Sequence, residues 1–233
     1  MVVLTGDTHR IFDRIFEFCE EYETTKEDII VILGDAGINY YLDSSDEELK
    51  MELSRLNVII LLIHGNHEER PCNLNNYEGM RWHEGIVYYE EKYPNLLFAI
   101  DGEIYDFFGK KAIVIGGAYS VDKNYRLSGR MPWFESEQPD EYIKSFVESQ
   151  LDKVDWKVDY VFSHTVPLSY MPREAFLPNI NSGLVDNSTE EWLETIEKKL
   201  NYERWFAGHF HVNWNMDRVD ILFDDYLELN TEW

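Results

Sequence analysis

Five short segments of this 233-residue chain carry side chains able to ligate a metal ion: Gly6-Asp7-Thr8-His9, Gly34-Asp35, Gly65-Asn66-His67-Glu68, Ser163-His164 and Gly208-His209-Phe210-His211. Five of the seven histidines stand in them, which a scatter of core and surface histidines would not produce. His209 and His211, two apart in an extended segment, project to the same side. Alone, such a pair also fits surface or hydrogen-bonded core histidines, and it is the other four segments that favour ligation. Carboxylate, imidazole and amide oxygen without thiolate suit manganese, iron or zinc better than calcium or an iron–sulfur cluster. Seven candidate ligands, Asp7, His9, Asp35, Asn66, His164, His209 and His211, exceed the needs of one ion. Two divalent ions about 3.5 to 4 Å apart, bridged by Asp35, are therefore expected, with manganese foremost.

The elements that must bring these residues together precede them directly. Apolar runs of strand length occupy residues 2–5, 29–33, 58–63, 160–162 and 205–207, and each ends at one of the five segments. Continuous runs of this kind mark strands buried on both faces. Helical spacing recurs at Ile11, Phe12, Ile15, Phe16 and Cys19, and at Leu49, Leu53 and Leu56 behind a Ser45/Glu48 capping box. A second box, Ser188/Glu191, opens residues 188–200. Residues 103–108 and 111–115 read as a hairpin around Gly109, so antiparallel strands are mixed into an α/β arrangement. In such sheets the carboxyl ends of the strands open onto one crevice, where distant ligands can meet.

Length and composition fit one domain over residues 1–233, with no linker, repeat or low-complexity tract. Cys19 and Cys72 lack metal-like spacing and read as free thiols of a reducing compartment, which suggests the cytoplasm. No apolar run reaches membrane-spanning length, and the first residues lack the features of a signal peptide, so no membrane association is expected. A formal net charge of -24 argues against a protein that coats duplex nucleic acid, while a small anion remains accommodated if cations attract it locally.

In chain order, Asp7/His9, Gly34/Asp35, Gly65-Asn66-His67-Glu68, His164 and Gly208-His209-Phe210-His211 resemble the D-x-H, G-D, G-N-H-[D/E], H and G-H-x-H blocks of the calcineurin-like metallophosphoesterase superfamily. The local stretches 116–123 and 188–193 extend the likeness, more loosely, to its compact bacterial and phage-type members. The resemblance implies a four-layer α/β/β/α sandwich with two mixed β-sheets. It implies one ion held by Asp7, His9, Asp35 and His211, and a second by Asp35, Asn66, His164 and His209. It also implies hydrolysis of a small phosphomonoester, phosphodiester or nucleotide by a hydroxide that bridges the ions, with His67 as the catalytic group assisting the leaving oxygen. Two departures count against the phosphoprotein phosphatases of the superfamily. Ile38 stands where they carry the aspartate that orients the histidine, and His64 where they carry an arginine. Glu68 or Glu69 is the expected substitute for that aspartate. His64 continues an apolar strand and reads as a structural, hydrogen-bonded histidine, and His83 as a loop residue. A phosphoprotein phosphatase, or a non-catalytic scaffold that keeps the fold, is the alternative reading.

Two further segments bear on substrate choice. Residues 117–139 gather Lys123, Arg126 and Arg130 with Tyr119, Tyr125, Trp133 and Phe134. Guanidinium groups bind phosphate oxygens in pairs and aromatic faces stack on planar groups, so Lys123, Arg126, Arg130 and Trp133 are candidate substrate contacts. The same composition would also serve a packed loop whose basic residues pair with Asp and Glu. Residues 165–187, with Arg173, read as an irregular loop over the site.

Overall fold

The computed structural model describes residues 1–176 and 185–229. Its elements begin with β1 (Val2–Thr5), α1 (Asp13–Glu21), β2 (Ile29–Ile32), α2 (Ser44–Leu53), β3 (Ile59–Leu62), β4 (Glu78–Trp82), β5 (Gly85–Tyr89) and β6 (Leu96–Ala99). They continue with β7 (Ile104–Phe107), β8 (Lys110–Ile115), α3 (Lys123–Gly129), α4 (Glu141–Lys153), β9 (Tyr160–Ser163), α5 (Ser188–Glu197), β10 (Arg204–Ala207), β11 (Trp214–Met216), β12 (Val219–Ile221) and β13 (Leu227–Glu228). One sheet has the order β13-β1-β2-β3-β6-β5-β4 and the other β11-β12-β10-β9-β8-β7. Strands β1, β2, β3 and β6 pair in parallel, as do β8, β9, β10 and β12, with antiparallel strands toward the margins.

Alternation along the apolar runs builds the layers. Leu4, Val31 and Leu61 face Tyr105, Val114, Phe162 and Phe206 in the space between the sheets. Their neighbours Val3, Ile30, Ile32 and Ile60 face Ile15 and Phe18 of α1 and Leu53 of α2. On the outer face of the second sheet, Ile113, Val161 and Trp205 meet Val147 and Leu151 of α4 and Trp192 and Ile196 of α5. The result is the α/β/β/α sandwich. A one-residue slip would exchange the two buried sets of a strand, so register is tightly specified. Thr5 lies opposite Ile32, and Ile32 opposite Leu62, which brings the carboxyl ends of β1, β2 and β3 level. In the second sheet β9 and β10 are also in step, Phe162 against Phe206.

Several local expectations need correction. Neither capping box forms: Asp43 caps α2, accepting the Ser45 N–H at 2.8 Å, and α5 starts at Ser188 itself with no side-chain cap from Asn187. At α5 the carboxylate of Asp186 accepts the Ser188 N–H at 2.9 Å. In both places an aspartate two residues upstream accepts the serine's own amide, the one the glutamate of the box was expected to serve. Ile11 precedes α1 and is 67% exposed. The hairpin between β7 and β8 turns on Phe108 and Gly109, both left-handed. A second hairpin, β4 to β5, turns on His83 and Glu84 with φ of 46° and 71°, and the absence of an Asn-Gly type signal hides it in the sequence. Within 117–139 the chain folds into α3, and 165–176 contains two single-turn 3₁₀ segments, Leu168–Tyr170 and Arg173–Ala175. The remainder of the expected irregular loop, 177–184, lies outside the described residues. Among the described residues no helix is long and apolar enough to cross a membrane.

Candidate metal centre

Asp7 and His9 follow β1, Asp35 follows β2, and Asn66 follows β3, while His164 follows β9 and His209 and His211 follow β10. Both sheets therefore deliver candidate ligands to one edge. His9 Nε2 and His211 Nε2 lie 2.8 Å apart, and Asp7 Oδ2 is 3.2 Å from the latter and 3.6 Å from the former. Asp35 stands between the two halves of the cluster, with Oδ2 3.9 Å from His9 Nε2 and Oδ1 3.5 Å from His164 Nε2. Asn66 Oδ1 is 2.8 Å from His164 Nε2, and the His164 and His209 rings lie 4.9 Å apart. Asp7, His9 and His211 form one group of atoms able to hold a metal ion, and Asp7, Asp35 and His164 another. His67 joins a third with His9 and Asp35.

The donor atoms fit a cation on grounds independent of motif. His164 Nδ1 lies 2.8 Å from the carbonyl oxygen of Leu33 and donates to it, so Nε2 is the ring nitrogen turned into the cluster. The amide nitrogen of Asn66 donates to Ser120 Oγ at 3.0 Å, which turns Oδ1 toward Nε2 at 2.8 Å. The two atoms are thereby presented side by side, both of kinds that ligate divalent ions. His9, Asp35, His209 and His211 all adopt left-handed backbone, with φ of 46°, 50°, 70° and 52°. Non-glycine residues rarely do so, and such conformations cluster at ligand clamps. Gly34 and Gly65 are required by close approach: a Cβ at Gly34 would strike the His164 imidazole, and one at Gly65 the Asp35 carboxylate.

Electrostatics point the same way. Burial works against the charge of Asp7, yet the hydrogen bond with His211 and the nearby His164 and His9 rings hold its carboxyl well below the usual range. Asp35 goes the other way, raised by burial and then by the charge of Asp7. Burial lowers His9 and His209, so both offer neutral imidazoles. A buried carboxylate at Asp7, with the neutral rings of His9 and His209 beside it, favours a cation, and a cation would likewise offset the cost of charging Asp35.

A family model described as calcineurin-like phosphoesterase matches residues 1–213. The chain belongs to the calcineurin-like phosphoesterase family. Comparison with curated proteins finds no match. Among solved structures, TT1561 of Thermus thermophilus is similar in fold at a TM-score of 0.54 and 9% identity, over 95% of this chain and 87% of its own. Another crystal structure is similar at a TM-score of 0.51 and 14% identity, over 95% and 88%. A protein of unknown function from Aquifex aeolicus, AQ665, matches at 14% identity over 96% and 89%, with a TM-score of 0.40.

In this calcineurin-like phosphoesterase neither Glu68 nor Glu69 approaches the His67 ring in the manner expected. Glu68 is buried and accepts the Gly65 and Gly37 amides, both at 3.0 Å. Glu69 accepts from Asn73 and Ser136 at 2.7 and 2.6 Å. The carboxylate facing His67 is Asp122, just before α3, with Oδ1 3.9 Å from Nε2 and no hydrogen-bond partner of its own. Tyr40 stacks with His67, the ring centroids 6.3 Å apart. Ser120 and Asp122 follow β8, so the rule that polar residues after apolar strands form the site could have found them. His64 is buried with Nε2 3.2 Å from the Ser136 carbonyl oxygen, and His83 sits exposed in a turn.

The four basic and aromatic candidates separate. Arg126 is fully buried, donating to Ser120 Oγ at 3.1 Å and to the Pro132 carbonyl at 2.8 Å, with Nη1 3.5 Å from the Asn66 carbonyl. It therefore braces the segment that presents Asn66. Lys123 Nζ lies 3.9 Å over the Trp133 ring, Trp133 Nε1 donates to Glu137 at 2.7 Å, and Arg130 ends α3 in exposed, left-handed backbone. Lys123, Arg130 and Trp133 are not among the described residues lining the hollow beside the ligands.

Proposed function

We propose that the chain hydrolyses esters of phosphate with small organic groups, monoesters, diesters or nucleotides, at a centre of two divalent cations. The observation that carries the reading is the convergence of Asp7, His9, Asp35, Asn66, His164, His209 and His211 on one edge, with Asn66 Oδ1 and His164 Nε2 2.8 Å apart. Asp7, His9, Asp35 and His211 would hold one ion, and Asp35, Asn66, His164 and His209 the other. Such ions, manganese foremost with iron or zinc as alternatives, acidify water and neutralise phosphate charge near neutral pH. The chain's own part is to hold substrate and donate hydrogen bonds. Burial, then the charge of Arg126, draws the pKa of His67 down to about 3, so its ring is neutral at pH 7 and its N–H is suited to donating to the leaving oxygen. Asp122 would orient that ring, because catalytic hydrogen bonds often close up only with substrate bound. The free thiols of Cys19 and Cys72 are what supports a cytoplasmic setting.

The test is the initial rate on p-nitrophenyl phosphate and bis-p-nitrophenyl phosphate, with added Mn²⁺ and with chelator. Metal-dependent cleavage that prefers one ester is expected. Failure on both and on a panel of natural nucleotides, with metal bound, would overturn the hydrolase reading.

A further inference from the structure

Beside the ligand cluster lies a cavity of about 480 Å³. His9, Asp35, Asn66, His67, His209 and His211 form one end of it. Much of the remaining wall is apolar, from Tyr119, Val121, Met171, Phe176, Phe210 and Val212. Phe176 and Phe210 stack with interplanar angle 10° and centroids 6.0 Å apart. Glu190, on the first turn of α5 and only 3% exposed, is among the residues lining it. Its Oε1 accepts from Thr165 Oγ1 at 2.8 Å, and Thr165 directly follows His164. Its Oε2 is buried and has no hydrogen-bond partner. The start of α5 explains a carboxylate in its first turn but leaves that oxygen unmatched. A buried acceptor without a donor is unfavourable until something supplies one, and the cavity is open to a ligand.

We propose that this cavity receives the organic part of the ester, and that Glu190 selects an aromatic group bearing a hydrogen-bond donor such as an amino or hydroxyl group. The inference rests on the phosphoesterase reading and narrows its substrates. The ester phosphate lies at the ligand cluster, the ring among the apolar side chains, and the donor against Glu190. A second anionic substituent on the ring is disfavoured, since it would be buried against a carboxyl group that already lacks a partner.

The test compares 3- and 4-aminophenyl phosphate with 3- and 4-methylphenyl phosphate. Within each pair shape and leaving-group basicity are nearly matched, so the ratio of kcat/KM reads recognition. A preference of about tenfold or more for one amino isomer is expected, because a site built around a hydrogen bond rejects the analogue that lacks it. The ratio should fall toward one in Glu190→Met and be partly retained in Glu190→Gln. Ratios near one for both isomers in the unmodified protein would overturn the proposal while leaving the hydrolase reading intact. Calorimetry of the Mn²⁺-loaded protein with amino- and methyl-substituted benzylphosphonates, which cannot be hydrolysed, separates the converse case. Amino preference in binding without turnover of any ester would retain the subsite and overturn the hydrolase reading. Equal binding of both phosphonates counts against the subsite.

Discussion

Residues 64–73 contribute to two hollows of opposite character. The larger, about 850 Å³, is lined by His64, Glu69, Arg70, Asp101, Tyr142 and Phe146 among others. Arg70 pairs there with Asp101 and donates Nε–H to the Ser136 carbonyl at 2.9 Å, while its Nη2 and His64 Nδ1, nitrogens also buried, have no hydrogen-bond partner. The smaller, which includes Asn66 and His67, also carries His9, Asp35, His209 and His211, side chains of metal-ligating kinds, along its wall. Size therefore does not locate the chemistry. A site is marked where buried polar groups are arranged for a partner of a kind that side chains and backbone do not supply.

Four variants or conditions would break or sharpen this contrast. Asp35→Asn removes the carboxylate between the two halves of the smaller hollow, and a loss of more than about 100-fold in activity is expected, together with a drop in bound metal read by elemental analysis. Unchanged stoichiometry would count against a bridging role. At the larger hollow, Arg70→Met leaves Asp101 buried without its partner and should cost about 3 kcal/mol in denaturant unfolding with metal content intact. Lost metal in that variant would erase the distinction. His67→Ala is expected to lower kcat about 100-fold while the ions stay bound, and full turnover would remove its assigned role.

The smallest effect is an acid sensitivity of the chelated protein. Burial lowers His67 from 6.5 to about 3, and also lowers His9, His64 and His209. The folded chain keeps these rings neutral where the unfolded chain takes up protons, so their contribution to stability is full above pH 6.5 and is lost as pH falls toward 3. Asp35 and Glu68, the latter raised from 4.5 to about 7 by burial and then by Asp35, act with the opposite sign. Glu137 and Glu190, also raised by burial, share that sign, whereas the lowered carboxyls of Asp7, Asp28, Glu47, Asp186 and Glu194 add to the loss as the pH falls through the ordinary carboxylate range. A melting temperature in chelator that holds or rises from about pH 6 to about pH 3 would contradict this balance.

The metal-ligand candidates were legible because each follows an apolar run, and strands buried on both faces leave few alternatives for where such runs go. The hairpin at Gly109 was legible for its turn residue, whereas the one at His83-Glu84 was not, since neither residue advertises left-handed backbone. Glu190 could not be read from spacing. It looks like an ordinary residue at a helix start, and only packing leaves one of its oxygens without a hydrogen-bond partner. Arg126 has a residue type suited to phosphate, yet burial beneath Asn66 gives it a bracing position instead. Residue type suggests what a side chain can do, but tertiary packing decides what it faces.

Four of the seven candidate ligands hang from the first sheet and three from the second. A cation shared among them would act as a rivet through two plates. Its loading would then be felt as mechanical stiffness along the whole seam, with backbone amides near Thr5, Ile32, Phe162 and Phe206 exchanging hydrogen more slowly as free metal rises.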